Sequence, residues 1–287
     1  MQVPFAESIS SLQIYLTNAK AEQPSMNIVI IGSGNTAAVL GRKFIRAGHK
    51  IVQVVSRNAS AASELAYEWD TESVNYQTLI NRQADVYLIA VSDNAINEVV
   101  AGLEFPGKVV AHTAASVPAE VLSRVSDHYG VFYPLQSLNK ERKVLPDIPV
   151  FFEGNDERAK SVLESLAHSI AFDHVLTASA DERVKLHLAA VVVNNFTNYL
   201  YRLAQDYCRR EGISFEQLIP LIRETGERLQ ELPAAAVQTG PAIRHDTQTI
   251  QKHIALLQQH PELQKVYRFL SDSIEGRRPP LLAEASA

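Results

Sequence analysis

Asn27-Ile28-Val29-Ile30-Ile31-Gly32-Ser33-Gly34-Asn35-Thr36-Ala37 is an apolar run that breaks into a glycine turn and reopens as a helix. Ile28 to Ile31 is apolar at every position, the pattern of a strand in a parallel sheet covered on both faces. Gly32, Gly34 and Ala37 spell G-x-G-x-x-A. The first glycine permits a tight turn, the second lets backbone approach a pyrophosphate, and the alanine lets helix pack close on strand. The helix start presents unpaired N–H groups and a positive dipole end, which favour an anion. Gly32, Ser33, Gly34, Asn35 and Thr36 are therefore expected to hold a dinucleotide phosphate. In isolation the motif also fits an ordinary strand, turn and helix. Here the helix is amphipathic through Leu40 and Phe44, carries Arg42, Lys43 and Arg46, and stops at Gly48.

Outward from this turn, Ile51 to Val55 reads as a second strand ending in Ser56-Arg57-Asn58. An acid about 20 residues beyond the glycines would bond a ribose 2′-hydroxyl. Ser56 and Arg57 instead suit a 2′-phosphate, so the expected cofactor is NADP rather than NAD. Further apolar strands end at Val91-Ser92-Asp93, His112-Thr113 and Tyr133-Pro134-Leu135-Gln136. Strands alternating with helical stretches imply an α/β fold with a doubly wound parallel sheet, whose ligands lie beyond the strands' carboxyl ends. Val91, Ser92, Asp93 and His112 join the cofactor set, with Tyr133 and Gln136 on the rim. Asp93 also suits the N-cap of the next helix. Strands at 149–153 and 174–177, around a helix from Asp156 to Ile170, complete a Rossmann-like domain over 26–178.

Long helices follow from Ser179, where Ser179-Ala180-Asp181-Glu182 forms a capping box. A helix from there to Gly212 would be ~50 Å long. A second box opens at Ser214, and later helices are expected over Asp246–Gln259 and Pro261–Ile274. This all-α domain spans 179–276, with an extension at 1–25 and a tail at 277–287. His187, Asn194 and Asn198 share a stripe at ~100° per residue, and Asn195 lies beside it. Arg202, Gln205 and Arg209 continue near that stripe, so it reads equally as a wet face. Thr239-Gly240-Pro241-Ala242-Ile243-Arg244-His245-Asp246 combines a turn, a guanidinium and a helix cap. Arg244 is placed to clamp a carboxylate or to pair with an acid at a subunit contact.

The formal net charge of -5 and pI near 6.0 argue against nucleic acid or an anionic membrane as main partner. Hydrophobic residues make up 46% of the 287, enough for well-filled cores. One cysteine, Cys208, permits no internal disulfide and fits a reducing cytoplasm. No apolar run reaches the ~18–20 residues that span a bilayer. Residues 1–25 lack a secretory pattern. Met26 as the true start and a short docking helix at Leu12–Leu16 remain two readings.

Gly32 to Ala37, Val91 to Ile96, His187 to Asn195, and Thr239-Gly240-Pro241 with Arg244 and Asp246 together resemble bacterial proteins joining a Rossmann-like NADP-binding domain to a helical domain of unknown function. The architecture is similar to pyrroline-carboxylate reductase, deazaflavin-dependent NADP oxidoreductase and the phosphogluconate and hydroxyisobutyrate dehydrogenases. The resemblance implies a homodimer formed by the helical domain. Some positions depart from these relatives. Lys185 is followed four residues later by Ala189, not Asn, so the hydroxyacid chemistry does not transfer; Tyr133 stands where His-Pro is usual, and His245 where glycine is common. The leading expectation is an NADP-dependent oxidoreductase that reduces a small carbonyl or imine. His187 would be general acid, since imidazole titrates near ~6.5; Asn194, Asn195 and Arg244 would orient substrate. A non-catalytic NADP(H) sensor and hydride exchange with a deazaflavin are the alternatives.

Overall fold

The four apolar residues of the opening strand divide between two apolar layers. The structure is a computed structural model, and it describes residues 25–76, 78–171 and 174–276; expectations for 1–24 and for the tail from Arg277 lie outside them. In β1 (Asn27–Ile31), Ile28 and Ile30 enter one core with Leu40 and Phe44, while Val29 and Ile31 enter another with Tyr87, Ile89 and Val110. That alternation is the strand period of two applied to a sheet covered on both faces. Each such side chain contributes about 1.5–3 kcal/mol by leaving water.

The remaining strands are β2 (Lys50–Val55), β3 (Glu72–Val74), β4 (Val86–Ile89), β5 (Val109–His112), β6 (His128–Pro134), β7 (Val150–Gly154) and β8 (Val175–Thr177). They form one sheet in the order β3-β2-β1-β4-β5-β6-β7-β8. The first six follow the Rossmann order, and the order reverses between β1 and β4, where such folds bind dinucleotides. Two features depart from the sequence reading. The three-residue β3 is too short and polar to show as a periodic run. β7 runs antiparallel to β6, because residues 135–149 between them form no crossover helix of the kind a parallel return uses. α4 (Glu157–Ile170) does supply a crossover, and β8 accordingly lies parallel to β7.

α1 (Asn35–Arg46) follows the glycine turn, α2 (Ala59–Glu68) follows β2, and α3 (Ile96–Val100) follows β4. The chain divides into two compact units between Val191 and Val192. The first therefore includes α5 (Ala180–Ala190), whose Ser179–Glu182 capping box forms as expected, with the Ser179 N–H donating to Glu182 Oε2 at 2.9 Å. Residues Val191–Phe196 are π-helical, so i→i+5 bonding adds a residue to the turn. The regular count that put His187 and Asn194 on one stripe is interrupted there.

The second unit contains α6 (Thr197–Arg210), α7 (Ile219–Glu231), α8 (Thr247–Leu256) and α9 (Pro261–Ile274). The expected box at Ser214 is not made: Ser214 begins a short 3-10 turn without a side-chain cap, and α7 starts later. Asp246 does cap α8, accepting from the Thr249 N–H at 3.0 Å. Ala242, Ile250 and Ile254 form a small core with Tyr267. Cys208 is buried on α6. No helix among the described residues is long and apolar enough to cross a membrane.

Candidate functional site

Beyond the carboxyl ends of β1 and β4 lies a cleft of about 480 Å³, floored by the glycine turn and walled by Ser56, Arg57, Tyr76, Ser92 and Thr113. Gly32 has φ +129, and a Cβ there would lie 2.1 Å from the Ala90 carbonyl oxygen. Only glycine fits that turn without displacing backbone. A Cβ on Gly34 would meet no atom within 4 Å, so this residue leaves open the face that a phosphate would approach. Gly34 is also the N-cap of α1, and among the described residues no side chain caps the helix and no acid sits in its first turn. The exposed donors and dipole are thus left for an anion. Ser33 Oγ and Ser56 Oγ lie 2.8 Å apart, tying the turn to the end of β2. Asn35 Oδ1 accepts the Lys140 N–H at 3.1 Å. A larger cleft, about 620 Å³, lies between Arg42, Trp69 and Lys143, but it has no glycine turn and no free helix start.

The cofactor residues expected from sequence gather around this cleft, with one placed differently. Gly32 to Thr36, Ser56, Arg57, Val91, Ser92 and Asp93 all line it. His112 lies beneath it, 0% exposed, while the following Thr113 reaches the lining. His112 Nδ1 accepts the Ala114 N–H at 3.2 Å and Nε2 lies 3.3 Å from the Pro118 carbonyl. Burial pushes its pKa down to about 4, against a smaller raising effect of the Pro118 carbonyl. Its role in this geometry is to shape the loop that carries Thr113 and Ser116. Asp93 makes no N-cap bond; it accepts from Ser116 Oγ at 2.6 Å, linking the β4 and β5 ends.

At the neighbouring β6 end, the buried Tyr133 places its Oη 3.1 Å from His187 Nδ1, with the rings edge to face at 6.4 Å. Burial, then the negative charge of Asp93, holds the phenol above its ordinary pKa. It therefore remains a proton donor near neutrality. One turn before His187, the 0% exposed Arg183 pairs with Glu153 of β7 and donates to the Ala178 carbonyl at 3.0 Å. Its Nη2 also reaches the Val117 carbonyl at 3.4 Å. The pair anchors α5 on the sheet and so fixes the turn carrying His187. Sequence alone gives little sign of Arg183, because an arginine at the fourth position of a capped helix resembles any solvated charge. Its signal is the i, i+4 spacing to His187.

In the second unit, Asn194 and Asn195 are exposed within the π-helical turn. Arg244 is exposed in the turn before α8, next to His245, which has φ +54. His253 on α8 lies with its Nδ1 2.8 Å from Tyr267 Oη in a packed pair.

Strand order, glycine turn and free helix start define this protein as one of the Rossmann nucleotide-binding proteins, followed by a helical region. Residues 27–116 match the family described as NADP oxidoreductase, coenzyme F420-dependent, and residues 148–274 match a domain of unknown function, DUF2520. A Bacteroides fragilis protein given as a candidate NADP oxidoreductase is 38% identical, with a TM-score of 0.81, over 88% of this chain and 99% of that one. The chain belongs to this family, in which an NADP-binding Rossmann domain precedes a DUF2520 domain. Two more distant structures share the fold. A reductive aminase from Aspergillus terreus, in complex with NADPH and ethyl-5-oxohexanoate, is 15% identical with TM-score 0.62, over 88% of this chain and 93% of that one. A 1-pyrroline-5-carboxylate reductase from Streptococcus pyogenes is 15% identical with TM-score 0.57, covering 88% and 99%. Comparison with curated proteins finds no match.

Proposed function

We propose that the protein is an NADPH-dependent reductase of a small carbonyl or imine compound. The observation that carries this reading is the free helix start at Gly34, opening on the β1/β4 cleft of a chain whose Tyr133–His187 pair stands at the end of β6, two strands along the same sheet from β4. The α1 N–H groups and Ser33 would hold the pyrophosphate, while Ser56 and Arg57 would hold the 2′-phosphate. The bound dihydronicotinamide supplies a hydride. His187 then delivers a proton to the developing alkoxide or amine. Tyr133 fixes the ring through Nδ1 and leaves Nε2 free of that contact. Asn194, Asn195 and Arg244 are the proposed substrate-orienting groups. A reductive aminase in complex with NADPH and a 1-pyrroline-5-carboxylate reductase among the fold neighbours support this substrate class.

We further propose that the working form is a homodimer in the cytoplasm, with α7 against a second copy. Every described residue of α7 is at least partly exposed, including Leu221 and Leu229, a costly surface for a lone chain.

NADPH absorbance followed across a panel of aldehydes, ketones and cyclic imines tests the reaction, with a deazaflavin as one arm because of the family matched by residues 27–116. His187→Ala is expected to lower kcat about 10²-fold or more while leaving NADPH affinity unchanged. Unaltered kcat would remove His187 from the mechanism. Tight NADPH binding without turnover on any arm would favour a sensor.

A further inference from the structure

The guanidinium expected to read the 2′-phosphate is already engaged. Arg57 Nη1 lies 3.1 and 3.3 Å from the two carboxylate oxygens of Glu98. Glu98 belongs to α3, which follows β4, so the acid approaches the β2 end from a neighbouring element. Both side chains are open to solvent, 63% and 70% exposed. Arg57, Glu98, Tyr76, Val99 and Leu103 together line a slot of about 140 Å³. It adjoins the main cleft, with Arg57, Tyr76 and Val99 lining both.

The end of β2, Ser56-Arg57-Asn58, carries no acid of its own. A carboxylate at that end ordinarily favours NAD by accepting the ribose 2′-hydroxyl and repelling a 2′-phosphate. Here the same chemical group is delivered by Glu98. A 2′-phosphate must take Arg57 from Glu98 and then sit beside a like charge; a 2′-hydroxyl meets neither obstacle and gains an acceptor. We propose that Glu98 is a specificity-determining residue that restrains the preference of this cleft for NADP over NAD. This rests on the proposed placing of the 2′-phosphate at Ser56 and Arg57.

The test is the affinity of the full chain for NADPH and for NADH, by calorimetry, in wild type, Glu98→Gln, Arg57→Gln and the double variant. Glutamine preserves shape at an exposed position, and unchanged melting temperatures confirm folding. Glu98→Gln is expected to tighten NADPH about three- to fivefold, the scale of one exposed ion pair, and to leave NADH unchanged or weaker. The gain should shrink in the Arg57→Gln background. Equal shifts for both cofactors, or none, would overturn the role of Glu98 while leaving the cleft assignment standing. Wild-type protein that binds neither cofactor would overturn the cleft assignment itself.

Discussion

The two units bury their apolar residues very differently. In the first, β1, β4 and β5 are wrapped on both faces, and Ile30, Leu40, Phe44, Leu88 and Phe132 are fully buried. In the second, among the described residues, the buried cluster is Ala242, Ile250 and Ile254 with Tyr267, and Leu203, Cys208 and Leu257 are buried besides, while Phe196, Leu221, Leu229, Leu256 and Phe269 stay exposed. A sheet covered by helices satisfies itself within one chain. A set of amphipathic helices with so few layers does not, and its outward apolar faces call for a second surface. The Rossmann unit therefore owes its stability to its own sequence, whereas the helical unit is expected to owe part of its stability to assembly.

The largest expected effect breaks the first unit at its turn. Gly32→Val would force a Cβ against the Ala90 carbonyl at a backbone φ of +129. It should abolish NADPH binding and cost about 3 kcal/mol or more of stability, read by calorimetry and thermal melting. Next comes the buried imidazole. His112 is held near a pKa of about 4 in the fold, below the ordinary ~6.5 of an unfolded chain. Folding therefore favours its neutral form. This contribution, of order 3 kcal/mol, is complete above pH ~6.5 and is lost as pH falls toward 4. His49, lowered by burial as well, acts in the same direction. His112→Gln should flatten the stability profile over that window without erasing it; an unchanged slope would assign the acid sensitivity elsewhere.

Arg183→Ala removes the buried half of an ion pair whose other half, Glu153, is partly exposed. That points to the lower end of the usual cost, about 2–3 kcal/mol, together with a fall in kcat as the His187 turn loosens. Leu221→Ser sharpens the contrast between units most directly. Leu221 is 60% exposed, so a monomer should lose less than about 0.5 kcal/mol. If the proposed homodimer forms through α7, the average mass measured by light scattering should nevertheless fall toward that of a monomer. An unchanged mass with Leu221→Ser would overturn the proposed contact through α7.

Much of the first unit is legible along the chain. The glycine turn, the end of β2 and the Ser179 capping box are local patterns, and each forms where its spacing indicates. The Asp93 cap and the Ser214 box carry the same kind of signal, yet neither forms. For Asp93, the hydroxyl of Ser116, 23 residues away, takes the carboxylate that the local motif would have used. Tyr133 was recognisable as a rim residue, but its bond to His187 spans 54 residues, and no periodicity encodes such a meeting.

What the chain determined by itself is the repeating order of strand and helix, the glycine turn and the absence of an acid after β2, because period, glycine and charge act over a few neighbouring residues. Tertiary structure decided the antiparallel β7, the anchoring of α5 by Arg183 and Glu153, and the return of a carboxylate to Arg57 through Glu98. Those depend on which strand ends come to lie side by side, a matter of sheet order and of side chains reaching across it.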